Sequence, residues 1–162
     1  MVALSILGLS WCQHAGWKVV LYEPGRGRRL QVTLSPEDAV VVGQELARQP
    51  SPRAGLYSLV GALLRQQPHR ASVKLALAEN SRARTAVVVH ADDGEQAYLT
   101  SAADGVALAV RARLPICAEE ALLDRFGIED EAEDAQPPGD ASSATPIPEA
   151  FRRALDGPSG GA

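Results

Sequence analysis

Two segments of the 162-residue chain follow the same plan, in which an alternating strand runs into a capped helix. Residues 35–40 and 101–106 both read Ser-x-x-Asp-small-Val. Serine is a favoured N-cap because its hydroxyl accepts a hydrogen bond from an early helical N–H, and an acid in the first turn complements the helix dipole. The pattern has two interpretations: an internal duplication of a strand–helix unit, or two separate helix starts that obey the same capping rule.

The residues around the first capped serine predict strands followed by helices. Apolar, β-branched and alternating patterns predict strands at residues 2–9, 17–22 and 30–34. Helices are expected at 36–48 and at 55–67, the second one bracketed by prolines. Its apolar face is expected to consist of Leu56, Leu59, Val60, Leu63 and Leu64.

The second half of the chain repeats this order of elements. The expected elements are strands at 73–77, 85–90 and 96–99, a helix at 101–113, an extended piece at 114–117 and a helix at 119–126 that Gly127 caps. Strands and helices in this mixture predict an α+β fold, with helices packed on a mixed β-sheet.

The formal charge of −4 is distributed unevenly along the chain. Residues 1–128 carry 14 Lys/Arg and 12 Asp/Glu, whereas residues 129–162 carry 2 and 8. The second segment is also rich in Pro, Gly and Ser, a composition typical of disorder. We therefore predict a folded domain over 1–128 and a disordered acidic tail over 129–162. Phe151 and Leu155 in this tail are either one face of a short helix that docks on a protein partner or part of a frayed end.

Cysteine usage and hydropathy indicate the compartment. Cys12 and Cys117 are far apart, and with three scattered histidines they build neither a zinc site nor a disulfide scaffold. We expect buried or half-buried free thiols in a reducing cytosol. The apolar run at 2–9 lacks the positively charged start of a signal peptide, and no apolar run reaches the roughly 18 residues that span a bilayer. The sequence predicts a cytoplasmic protein that does not enter membranes.

A basic, glycine-rich turn is the first candidate for ligand binding. Arg26, Arg28 and Arg29 follow Pro24 and Gly25 between two expected strands. Arginines in such a turn could contact the phosphates of RNA or DNA. The alternative interpretation is a solvated hairpin tip.

Three blocks of the chain resemble one known family. They are residues 29–39, residues 52–64, and residues 101–111 with the sequel Leu114-Pro115-Ile116. The third block, Ser-Ala-Ala-Asp-Gly-Val-Ala-Leu-Ala-Val-Arg, is similar to the Arg-Pro-Ser-Asp-Ala-Ile-Ala-Leu-Ala-x-Arg block of the bifunctional nuclease domain family. In the same order and spacing, the resemblance covers roughly residues 1–128. The middle block departs from the family, because residues 54–59 stand where the family carries Thr-His-Asp.

The resemblance implies hydrolysis of phosphodiester bonds in RNA or DNA. Such a reaction needs a carboxylate that positions water or a divalent cation such as Mg²⁺, and a cation that neutralises the developing charge. Asp104 and Arg111 match the family block, and they lie seven residues apart on one expected helix, about 10 Å along its axis. They are the candidate catalytic residues, although Asp104 could equally be a helix-capping acid. The alternative function is a non-catalytic module of the same fold, which forms a homo-oligomer or binds a protein partner through its tail.

Overall fold

The computed structural model describes residues 1–66, 71–79, 82–91 and 94–129. Over these residues it contains eight strands in one mixed sheet and four helices, which confirms the α+β class. The first half forms β1 (Val2–Cys12), β2 (Gly16–Glu23), β3 (Arg28–Leu34), α1 (Pro36–Leu46) and α2 (Ala54–Gln66). The second half forms β4 (Ala71–Leu77), β5 (Ala83–Ala91), β6 (Gly94–Thr100), α3 (Ala102–Ala112), β7 (Ile116–Ala118), α4 (Glu120–Phe126) and β8 (Gly127–Glu129).

The two halves repeat the same elements with a constant offset of 66 residues. The strand β3 begins at residue 28 and β6 at 94, α1 begins at 36 and α3 at 102, and α2 begins at 54 and α4 at 120. Both expected caps form, since Ser35 Oγ accepts a hydrogen bond from the N–H of Asp38 at 3.1 Å and Ser101 Oγ accepts one from the N–H of Asp104 at 3.0 Å. The repeated unit therefore comprises three strands and two helices, which is longer than the strand–helix pair expected from the sequence.

The sheet joins these two units edge to edge. Its strand order is β6-β5-β4-β7-β1-β2-β3-β8, and every neighbouring pair is antiparallel except β4 with β7. The strand β1 takes part in both halves: Val2–Leu4 pairs with β7, and residues 5–12 pair with β2 across a register shift between Ile6 and Gly8. The strands β6 and β8 stand at the two ends of the order.

The helix α3 lies at the centre of the packing. It contacts α1 and α2 on one side and β4 and β5 on the other. Small residues make this position accessible, because a Cβ at Gly105 would lie 2.8 Å from the Thr85 methyl group. The remaining small residues buried along α3 are Ala103, Ala107, Ala109 and Ala112.

The helix α2 faces the core with a different side from the one expected. Val60 and Leu64 pack inward as predicted, but Leu56, Leu59 and Leu63 are 59%, 59% and 54% exposed. The inward face instead carries Tyr57 and Gly61, and a Cβ at Gly61 would lie 2.9 Å from the Ala112 Cβ. The tight approach of α2 to α3 thus requires the glycine face. This orientation turns three leucines toward solvent.

Two further expectations need correction, and some calls fall outside the described residues. Cys12 is exposed because it ends β1 beside the turn into β2, whereas Cys117 is half-buried as expected. The helix α1 ends at Leu46, two residues early, and Arg48 adopts a left-handed conformation with φ of 55°. The tail after Glu129, with Phe151 and Leu155, lies outside the described residues. Within them, no helix has the length and apolar character needed to cross a membrane.

Candidate functional site

The carboxylate of Asp104 is the centre of a polar cluster at the start of α3. Its Oδ1 accepts hydrogen bonds from Tyr57 Oη at 2.6 Å and from Arg53 Nη1 at 2.8 Å, and its Oδ2 accepts one from Ser101 Oγ at 2.9 Å. The Ser101 cap fixes Asp104 in the first turn of α3, and the first turn of α2 brings Tyr57 to it. Local capping and helix packing together build the cluster.

The corresponding acid of the first repeat joins the same group. Asp38 lies 66 residues before Asp104, at the same position of α1, and its Oδ1 is 3.7 Å from Arg53 Nη1. Arg53 therefore lies between the equivalent first-turn acids of the two repeats. We call Asp38, Arg53, Tyr57, Ser101 and Asp104 the Arg53 cluster. The side chains of its three charged members are about one-third to two-fifths exposed.

The electrostatics of the cluster keep Asp104 ionised and Tyr57 protonated. Burial is the largest influence on Asp104 and opposes its charge, but hydrogen bonds from Tyr57, Ser101 and Arg53 together outweigh it and lower the pKa of Asp104. Burial, followed by the neighbouring Asp104, raises the pKa of Tyr57 to about 12. A general base works best when its pKa lies near the operating pH, and neither group meets that condition near pH 7.

Arg111 occupies a second and separate polar group. Its Nε donates to Glu45 Oε2 at 2.8 Å and its Nη2 donates to Glu45 Oε1 at 3.0 Å, which is a bidentate ion pair. The Glu45 side chain is 1% exposed, and Ser51 Oγ also donates to its Oε1 at 2.8 Å. The hydrogen bonds from Arg111 to Glu45 raise the pKa of Arg111. Glu45 and Arg111 are again 66 residues apart, so they occupy equivalent positions of α1 and α3.

The two candidate catalytic residues consequently bind different partners. Both lie on α3 as expected from the sequence, but Asp104 is bound by residues of and beside α2, and Arg111 is bound by α1. The partners Arg53, Tyr57 and Glu45 were not identified from the sequence. The signal that could have found Glu45 is the 66-residue offset, which aligns it with Arg111 across the repeat.

The basic turn divides its arginines between the interior and the surface. A turn forms at residues 24–27 as predicted. Arg28 is 6% exposed and donates to Glu23 at 2.5 Å, Glu120 at 2.7 Å and Asp124 at 2.8 Å. Hydrogen bonds to Glu23 and then Glu120 raise its pKa. Arg28 therefore ties the β2–β3 hairpin to α4.

The other two arginines of the turn remain at the surface. Arg26 is exposed and donates to Glu120 at 2.6 Å, and Arg29 is exposed on β3. They are the members of the predicted nucleic-acid-binding set that solvent can reach.

The described residues do not fit a divalent cation such as Mg²⁺. In that part of the chain, no three side chains of His, Cys, Asp or Glu converge in a group able to hold a metal ion. Asp38 and Asp104 both face the Arg53 guanidinium, which supplies the positive charge between them. We therefore derive no reaction step through a metal.

A pocket of about 540 Å³ lies elsewhere in the fold. Residues 30–33 of β3, Arg82, Ala83 and Phe126 line it, and none of these belongs to the Arg53 cluster. Its lining is largely apolar, with polar groups from Gln31, Thr33 and Arg82. It contains none of the candidate catalytic residues.

No protein-family model and no curated protein sequence matches this chain. The likeness to bifunctional nucleases accordingly depends on the three sequence blocks described above.

Proposed function

We propose that this bifunctional-nuclease-like chain is a non-catalytic module that forms oligomers or binds a protein partner. The observation that carries the proposal is the separate commitment of Asp104 and Arg111 to intramolecular partners. A phosphodiester site would need a carboxylate and a cation that are both free to act on one phosphate. Here each of these groups already satisfies a charge or a polar group of its own fold.

The cost of releasing these groups supports the same proposal. Moving Arg111 onto a substrate would leave the Glu45 carboxylate buried without its cation, and uncompensated buried charge is strongly destabilising. Moving Asp104 would take an acceptor from the buried hydroxyl of Tyr57. Both residues therefore stabilise helix packing in the resting protein.

Hydrolysis of RNA or DNA is the second candidate function, and one observation favours it. The Arg53 cluster is partly open to solvent, so a phosphate could approach Arg53 beside the Asp104 carboxylate. The exposed Arg26 and Arg29 would add positive charge for the nucleic acid. The sequence blocks shared with the bifunctional nucleases give this candidate its reaction class.

A nuclease assay on the full chain separates the two candidates. Single- and double-stranded RNA and DNA would be incubated with wild type and with Asp104→Asn, in Mg²⁺ or in EDTA. Glu37→Gln is the matched control, because Glu37 is an exposed acid in the first turn of α1. We expect no cleavage above that of Asp104→Asn. Cleavage by wild type and Glu37→Gln that Asp104→Asn abolishes would replace our proposal with the nuclease.

A further inference from the structure

The strand β6 is an open edge of the sheet. All seven of its residues pair with β5, and within the described residues no strand lies on its other side. An edge of this kind presents a row of unpaired backbone N–H and C=O groups that another strand can use. Six of its seven residues are exposed, including Tyr98 at 56% and Leu99 at 69%.

This edge lacks the usual protection against pairing. Natural edge strands carry charges, prolines or bulges that prevent association. The strand β6 has no proline, and its only charged residue is Glu95. Glu95 is already engaged within the chain, since it lies 2.5 Å from Lys74 Nζ and 3.3 Å from His90 Nδ1.

The internal repeat shows how the equivalent edge is covered. The counterpart of β6 in the first half is β3, and β8 pairs with β3 along Arg28–Leu30. The strand β8 follows α4, so the counterpart that would cover β6 should follow shortly after the start of α2. At that offset, residues 61–63, α2 is still helical. One end of the sheet therefore has a covering strand from its own chain, and the β6 end has none among the described residues.

We propose that the open edge of β6 pairs with β6 of a second copy of this chain. The pairing is antiparallel, about a two-fold axis at Ala97, and it joins the two sheets into one. This inference rests on the proposed function, for which it supplies a surface and a partner. A two-fold axis requires the same surface on both copies, and a single strand that pairs with itself meets that requirement.

The side chains of β6 are complementary in this register. Centring the pair on Ala97 places Gln96 opposite Tyr98 of the second copy and Glu95 opposite its Leu99. Like charges are never directly opposed, because each Glu95 faces an apolar residue. Directly opposed side chains lie about 5 Å apart, so the register determines which residues interact.

A seven-residue strand pair is a small interface. Specific stable interfaces usually bury about 1,200–2,000 Å², and a single strand pair provides less than that. We therefore expect a reversible dimer, with a dissociation constant near the micromolar range.

Charge substitutions at Leu99 test both the surface and the register. In the proposed pairing, Leu99→Glu sets two carboxylates opposite each other at two symmetry-related places, whereas Leu99→Lys sets an ammonium opposite each Glu95. Leu56→Glu is the control, because Leu56 is an equally exposed leucine on α2. Sedimentation analysis of the full chains over a range of concentrations gives the dissociation constants. Circular dichroism confirms that each variant is folded.

We expect Leu99→Glu to weaken the dimer about tenfold, as two like-charge contacts would, while Leu99→Lys and Leu56→Glu keep the wild-type constant or a tighter one. Amide hydrogen exchange gives a second measurement, in which β6 amides gain protection as concentration rises. A monomeric wild type, or a dimer that only Leu56→Glu dissociates, overturns the inference. The nuclease assay is independent of these measurements, so failure of the dimer and failure of the proposed function are distinguishable.

Discussion

At the scale of single residues, Glu45 is the charge that most constrains the fold. It is 1% exposed in α1, and Arg111 and Ser51 satisfy its carboxylate. An ion pair with one buried member stabilises less than its geometry suggests, but removal of the partner is costly. This makes Arg111 a residue whose loss should affect stability before any activity is considered.

We predict that Arg111→Leu lowers the free energy of unfolding by about 2 kcal/mol, because the Glu45 carboxylate is left buried without its cation. The lower part of the usual range applies because Arg111 itself is about one-third exposed. Urea denaturation measures the change. The double variant Glu45→Leu, Arg111→Leu should recover most of the loss, and equal losses in the single and double variants would show that the pair is not coupled.

The pKa of Tyr57 predicts a loss of stability in alkali. The folded state holds this pKa at about 12, above the ordinary value of 10.0, so the unfolded state releases the proton first as pH rises. The contribution is complete below pH 10 and is lost between pH 10 and pH 12, at about 2 kcal/mol. Unfolding free energies of wild type and Tyr57→Phe over that window check it. Parallel pH profiles for the two proteins would contradict the assignment.

The sequence was informative about Asp104 and silent about its partners. Its place in a Ser-x-x-Asp start predicts a first-turn acid, and the hydrogen bond to Ser101 confirms the cap. The contacts with Arg53 and Tyr57 depend on which face of α2 meets α3. That choice is made by packing between helices distant in the chain, and periodicity does not encode it.

At the scale of elements, α2 shows how glycine decides the orientation of a helix. A methyl group at Gly61 would lie 2.9 Å from Ala112 Cβ and 3.4 Å from the Ala112 backbone. We predict that Gly61→Ala destabilises the protein by about 1 kcal/mol, since overpacking outweighs the gain in helix propensity. Gly55→Ala in the same helix meets no atom within 4 Å and should be neutral or stabilising by about 0.5 kcal/mol. Thermal unfolding compares them, and equal effects would argue against the close contact.

Local patterns predicted long elements well and short ones poorly. Alternation and capping placed the strands and helices of both halves, because those signals are local. The expectation for α2 failed because leucine spacing alone does not distinguish a core face from an exposed one. The strand β8 was missed, since its three residues are ordered by pairing with β3, about a hundred residues away.

At the scale of the whole molecule, charge and structure divide near the same place. The described residues end at Glu129, next to the boundary predicted at 128. We predict that truncation after Glu129 leaves the free energy of unfolding unchanged within about 0.5 kcal/mol, because the buried core lies within residues 1–129. Chemical denaturation of the full and truncated chains tests this. A clear loss on truncation would show that the tail packs on the domain.

The short strand β7 has a consequence for the order in which the chain can fold during synthesis. It lies between β4 and β1, which are not neighbours, so Ile116–Ala118 connects the two three-stranded halves of the sheet. The first half can assemble its own strands and α1 as soon as they leave the ribosome. The continuous sheet must wait until residue 118 has emerged. A nascent chain stalled before that point would therefore expose the unpaired Val2–Leu4 edge of β1 to chaperones or to neighbouring chains.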